Sequence, residues 1–178
     1  HLVSEALYLS DPDGNGIEIY RDRDPAEWNW NRGEVEMAVD PLDFRDLLTA
    51  ADDRPWSGLP AGTLMGHIHL HVSELGPAER FYVDGLGFEV VNRFGAQALF
   101  LSAGGYHHHI GLNTWNGVGA PRPAPNSVGL KSYTVVYPDE AARDQAVERL
   151  RMLSEDVAEE GGLYAAADPS GNRVLLAV

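Results

Sequence analysis

Asp11-Pro12-Asp13-Gly14-Asn15-Gly16-Ile17-Glu18-Ile19 returns near the other end of the chain as Asp168-Pro169-Ser170-Gly171-Asn172-Arg173-Val174-Leu175-Leu176. Each copy is a Pro/Gly/Asn turn that feeds an alternating run. Such a turn is common by itself, so its position is the informative part. The later copy lies 37 residues after Lys131, where a strand is expected to begin. Residue 11 has no equivalent stretch before it. The chain is therefore expected to start inside a repeat whose first strand and helix are missing, and the lack of an initiator Met fits a fragment or processed form.

Working outward from the two turns gives a repeated pattern of one strand, one helix and three strands. In the first complete copy, 67–72 reads as a strand. Ser73 is the expected N-cap of a helix running to about residue 84, with Leu75, Ala78, Phe81 and Tyr82 at helical spacing. Gly85-Leu86-Gly87 ends that helix, and 88–93, 97–102 and 106–115 read as strands. The second copy takes a strand over 131–137, a helix over 139–154, and strands near 157, at 163–167 and at 173–178. The expected organisation is then the end of a truncated module (1–21), a linker with one helix near 41–51 (22–65), a complete module (66–117), and a last module (127–178) behind a Pro- and Gly-rich linker. The fold class is α+β, built of βαβββ modules.

Inside the first complete copy stands Gly66-His67-Ile68-His69-Leu70-His71-Val72. On a strand, side chains alternate, so the three imidazoles share one face and the aliphatics the other. Imidazole is the commonest protein metal ligand. A second cluster, His107-His108-His109, follows, and the two stretches hold six of the seven histidines.

Composition narrows the classes. The 178 residues can bury a core. No apolar run reaches the roughly 18 residues of a membrane span, and no signal peptide is evident. Without cysteine, disulfides and zinc–thiolate sites are excluded. The net charge of −14, with one lysine against twelve arginines, argues against nucleic acid or anionic membrane as a partner. The cytoplasm is the default location.

Three motifs together resemble the vicinal-oxygen-chelate superfamily of glyoxalases, bleomycin-resistance proteins and extradiol ring-cleaving dioxygenases, and within it the four-module catechol-cleaving dioxygenases. They are residues 4–18, which read SEALYLSDPDGNGIE, residues 66–72, and Gly104-Gly105-Tyr106-His107-His108-His109-Ile110-Gly111-Leu112-Asn113. The resemblance covers nearly the whole chain and leaves about the first third of such a protein without a counterpart. It implies a half-open, curved mixed β-sheet with helices on the outside. It also implies non-haem Fe(II), or Mn(II), held by two histidines and one carboxylate, with a small aromatic diol and O₂ as substrates.

Carried over position by position, His67 is the implied histidine ligand and Glu18 the carboxylate, with the third ligand expected upstream of residue 1. His108 matches the acid–base histidine of a His-x-x-small-aliphatic run, a task a near-neutral imidazole suits. Alternation with Ile110 and Leu112 makes His109 the runner-up, with His108 preferred on the motif. Tyr8, ten residues before Glu18, matches a substrate-binding tyrosine, and His1 a histidine near the metal. His69, His71, His109 and Asn113 are expected in the pocket. Same-face neighbours on a strand are about 7 Å apart, so the 66–72 strand is expected to give one ligand. The last module has Ser132 and Leu175 where ligands would be, so it keeps the fold without the metal. Trp28, Trp30, Trp56 and Trp115 more simply pack a linker.

Two rival readings are a Ni- or Zn-dependent glyoxalase-like isomerase or lyase, and a metal-free small-molecule-binding module. The isomerase needs a fourth protein ligand where His109 stands. Exposed strand edges in residues 1–21 are expected to make the protein a homo-oligomer. Ring cleavage is expected of a longer protein carrying this chain, and little of the stretch alone.

Overall fold

Both Asp-Pro turns are built alike in the computed structural model, which describes residues 1–51 and 55–178. Asp11 Oδ1 accepts the N–H groups of Asp13 (2.9 Å) and Asn15 (2.8 Å), and Oδ2 accepts Asn15 Nδ2 (2.8 Å). Asp168 accepts Ser170 N, Asn172 N and Asn172 Nδ2 in the same way, each at 2.9 Å. The fourth turn residues, Gly14 and Gly171, have φ of 84° and 94°, a conformation glycine adopts at no steric cost.

The chain divides into two units, His1–Gly66 and His67–Val178. In the first, β1 (Ser4–Ser10) and β2 (Gly16–Asp22) form an antiparallel hairpin. Leu7 pairs with Ile19 and Leu9 with Ile17, while Tyr8 pairs with Glu18. Period two thus sorts aliphatics to one face and Tyr8 and Glu18 to the other. A short pair, β3 (Trp30–Asn31) and β4 (Glu34–Val35), follows. Helix α1 (Phe44–Ala50) begins at Asp43, whose carboxylate accepts the N–H groups of Arg45 and Asp46. Val3, Trp28 and Val35 are buried, whereas Trp30, Trp56 and, in the second unit, Trp115 are exposed.

The second unit repeats one topology. Strand β5 (Ile68–His71) leads to α2 (Leu75–Glu79), which widens into a π-helical turn over Arg80–Leu86. Then come β6 (Glu89–Phe94), β7 (Ala98–Ser102) and β8 (Ile110–Asn113), in the order β5-β8-β7-β6 with β5 and β8 parallel. The next five elements are β9 (Tyr133–Val136), α3 (Glu140–Met152), β10 (Ala158–Glu160), β11 (Leu163–Ala167) and β12 (Arg173–Ala177). Their order is β10-β11-β12-β9, with β9 and β12 parallel. This is the expected α+β class of βαβββ repeats.

One core serves both repeats: Leu70, Phe81, Tyr82, Leu99, Leu101 and Leu112 of the first meet Ala146, Val147, Leu150, Val174 and Leu176 of the second. The helices come close where Gly85 faces Leu150. A Cβ at Gly85 would stand 2.5 Å from a Leu150 methyl. Arg149 Nε–H donates to the Gly85 carbonyl (3.0 Å).

Two expectations are corrected. Ser73 is not the N-cap. Glu74 holds that position without a side-chain cap bond, and the Ser73 N–H donates instead to Ser170 Oγ (2.8 Å), 97 residues on. The Ser73 backbone is thus tied to the other repeat, and its hydroxyl makes no cap bond to the helix. The strand expected over 106–115 is only Ile110–Asn113. Gly104 and Gly105, at φ 66° and 75°, turn the chain, and Tyr106 stacks on His107 and His109 (ring centroids 4.2 and 4.8 Å). Backbone bonds carry the ladder back as far as His109, whose N–H donates to the Leu101 carbonyl (2.8 Å) and whose carbonyl accepts the Ile68 N–H (3.0 Å).

Candidate functional site

Each unit carries a polar cluster. In the first, β1 and β2 hold Tyr8 beside Glu18, and the Tyr8 hydroxyl donates to Glu18 Oε1 (2.9 Å). His1 Nε2 is in hydrogen-bond contact with the same hydroxyl, and His1 Nδ1–H donates to the Ala38 carbonyl (2.8 Å). His1 Nε2 and Glu18 Oε1 lie 3.9 Å apart. Partial burial first, then the charge of Glu18, pushes the Tyr8 phenol well above its ordinary pKa. Tyr8 is thus a protonated phenol at neutral pH, bridging an imidazole and a carboxylate.

The second unit gathers histidines from β5, the residue before it, and the turn before β8. His67 and His108 stack at 4.3 Å between ring centroids, His67 and His69 at 5.2 Å, and His69 and His108 at 5.8 Å. One ring nitrogen from each of the three lies within 4.8 Å of the others. Phe100 closes one side, edge-on to His108 at 4.9 Å. The strand therefore brings two imidazoles to one place, closer than the 7 Å backbone spacing suggested, because the rings lean together. Room for that lean comes from β8. Gly111 stands opposite His69, and a Cβ there would fall 2.6 Å from His69 Nδ1.

His108 is buried, and its Nε2 has no hydrogen-bond partner. Its Nδ1 lies 2.8 Å from His107 Nδ1. Desolvation first, then the neighbouring imidazoles, pushes the His108 pKa down to about 2. The ring is neutral at physiological pH, with a lone pair to offer. His109 is turned elsewhere. Its Nδ1 accepts the Ala103 N–H (3.3 Å) and contacts Ser102 Oγ (3.1 Å), and burial depresses its pKa too.

His71 is exposed, and its carbonyl accepts Asn172 Nδ2 (3.4 Å). Asn113 is buried, and its Oδ1 accepts the Trp115 N–H (3.2 Å). Sequence reasoning missed Phe100, His107 and Gly111 as parts of the cluster. A glycine inside a strand pattern is the signal for Gly111, since it marks a close approach.

The donor set fits a divalent transition-metal ion. Three imidazoles converge, and one carries a buried nitrogen with no partner. Among the described residues no helix is long and apolar enough to cross a membrane.

Residues 64–176 match the family model described as Glyoxalase/Bleomycin resistance protein/Dioxygenase superfamily. Over 171 residues the chain is 48% identical to a catechol-2,3-dioxygenase of Bacillus subtilis, covering 95% of this chain and 60% of that protein. The chain thus spans 60% of the length of that curated relative. A trypanothione-dependent glyoxalase I of Leishmania major superposes with a TM-score of 0.50 at 19% identity, covering 65% of this chain and 86% of that one. That likeness shows the fold. A lactoylglutathione lyase of Agrobacterium tumefaciens gives a TM-score of 0.47 at 26% identity, over 66% of this chain and 94% of that one.

Proposed function

The chain belongs to the glyoxalase/bleomycin resistance protein/dioxygenase superfamily, and from that premise we propose that it is part of an extradiol dioxygenase that opens a catechol-type ring beside the diol. The observation that carries this reading is the 48% identity to a catechol-2,3-dioxygenase along nearly the whole chain. The converging imidazoles support a metal requirement.

In this reading His67 is a histidine ligand of the metal and Glu18 is the carboxylate carried over from the sequence motif. A bound ferrous ion would supply O₂ activation and hold the catechol oxygens. His108 supplies the base. In this role it would exchange a proton with a catechol hydroxyl and with the product, and because Phe100 and the neighbouring imidazoles depress its basicity in the empty site, its pKa would have to rise when substrate and metal bind. His107 orients it through the Nδ1–Nδ1 contact. Tyr8, protonated and donating to Glu18, would turn that donor to a substrate oxygen once Glu18 holds the metal.

The test uses protein carrying this chain, extended to the length of its curated relative and loaded with Fe(II) without air. Catechol and O₂ are added, and the yellow ring-opened semialdehyde is followed. Turnover sustains the reading. No colour with several catechols at full iron occupancy sinks it.

A further inference from the structure

We propose that His67, His69 and His108 form a three-imidazole site for a borderline divalent cation such as Zn(II), complete within the His67–Val178 unit, whose occupancy competes with the ferrous ion for His67 and ties up the His108 lone pair. The binding claim stands on the cluster alone. Only its inhibitory consequence rests on the ring-cleavage reading above.

The geometry is close to closed. Two nitrogens on one tetrahedral zinc, each about 2.0–2.1 Å from it, lie about 3.4 Å apart. The three ring nitrogens are within 4.8 Å of one another, so movements of about 0.7 Å by each ring close the set. Surface-exposed His69 can make such a movement over Gly111, where no Cβ opposes it.

The second observation is His108 Nε2. The residue is 8% exposed, and this nitrogen has no hydrogen-bond partner, an arrangement that costs free energy in an apolar wall. Its other nitrogen is held by His107, itself 1% exposed. An imidazole anchored through one nitrogen with the other left as a lone pair is the disposition of a metal ligand. When His108 Nδ1–H donates to His107 Nδ1, Nε2 is that lone pair.

The donor chemistry sets the preference. All three donors are imidazole nitrogens, and among the described residues no carboxylate joins the cluster. By the divalent affinity order Fe(II) binds such a set more weakly than Ni(II), Cu(II) or Zn(II). The net charge of −14 favours any cation near the surface.

Calorimetric titration of the 178-residue chain with Zn(II) tests this. One tight Zn(II) per chain is expected, with affinity falling at least about tenfold in His69→Ala and in the milder His69→Gln. It should be unchanged in His71→Ala, on the same strand but outside the cluster. The Co(II) form should show the visible bands of a four-coordinate, thiolate-free site. Absence of tight binding overturns the proposal, as does binding that survives both His69 variants. If His69-dependent binding appears without any ring cleavage in the extended protein, the functional reading alone fails. If ring cleavage appears and Zn(II) binding does not depend on His69, this inference alone fails. In the active, iron-loaded protein, added Zn(II) should inhibit, and His69→Ala should weaken that inhibition.

Discussion

Tyr82 donates a 3.0 Å hydrogen bond to Asp168, 86 residues away, and ties the helix of one repeat to the turn of the other. Tyr133 donates in turn to the Tyr82 hydroxyl (2.9 Å). Asp168 is wholly buried. Desolvation first, then Tyr133 and Asp168, raises the Tyr82 phenol well above its ordinary range, so it stays a donor. Tyr82→Phe removes a donor to a buried carboxylate while leaving the ring in the core. It should lower unfolding stability by about 1–3 kcal/mol. An unchanged urea midpoint would refute the coupling.

The Glu79–Arg93 pair predicts a modest acid sensitivity. Arg93 grips the Glu79 carboxylate with both terminal nitrogens, at 2.8 and 2.5 Å, joining α2 to β6. That hydrogen bonding holds the Glu79 pKa below the usual carboxylate value. The pair's contribution is present above the unfolded-state pKa and is lost as pH falls through the lowered folded value. Both side chains are solvent-exposed (49% and 30%), so screening limits the gain to at most about 1 kcal/mol. Wild type should be slightly more stable than Glu79→Gln at neutral pH, and the two curves should meet in acid. Parallel curves down to low pH would rule the pair out.

Gly111→Ala should disturb the histidine cluster without disturbing the fold. Gly111 φ lies outside the left-handed region, so alanine meets no backbone strain, but its methyl needs the space of the His69 ring. His69 is exposed and its ring can rotate outward, so stability should change by about 0.5 kcal/mol or less. Affinity for Zn(II) should drop about tenfold. A full-strength site in the variant would mean His69 is not held by that gap.

Tyr8→Phe probes the hairpin. The phenyl ring keeps its place opposite Glu18, while the hydroxyl that joins His1 and Glu18 is lost. In the extended, iron-loaded protein kcat should fall by about tenfold or more with a smaller change in KM. Equal kcat values would remove Tyr8 from the reaction.

The repeat was readable because its turn chemistry and strand periodicity are local. Asp11 and Asp168 satisfy their own turns, and Leu163–Ala167 is a strand at its expected bounds. Asp139 caps α3, accepting the Ala142 N–H (2.8 Å). What could not be read is tertiary. Ser73 stands one residue before the helix cap, with its N–H bonded to Ser170 across 97 residues. Strand alternation favoured His109, yet the chain turns at Gly104 and Gly105, and it is His108 whose ring meets His67. The lean of His69 toward His67 depends on a missing Cβ across the sheet, which the 66–72 stretch does not itself reveal.

The two Asp-Pro turns have one further consequence. Leu175 occupies in β12 the place Glu18 occupies in β2, with the same turn before it and the same alternation around it. Its neighbours across the sheet, Ala165 and Thr134, are small. The turn aspartate there is buried and accepts the Tyr82 hydroxyl, whereas Asp11 bonds within its own turn. The chain therefore carries a blank duplicate of its own carboxylate-bearing strand, and a single substitution at 175 would write the missing residue onto it.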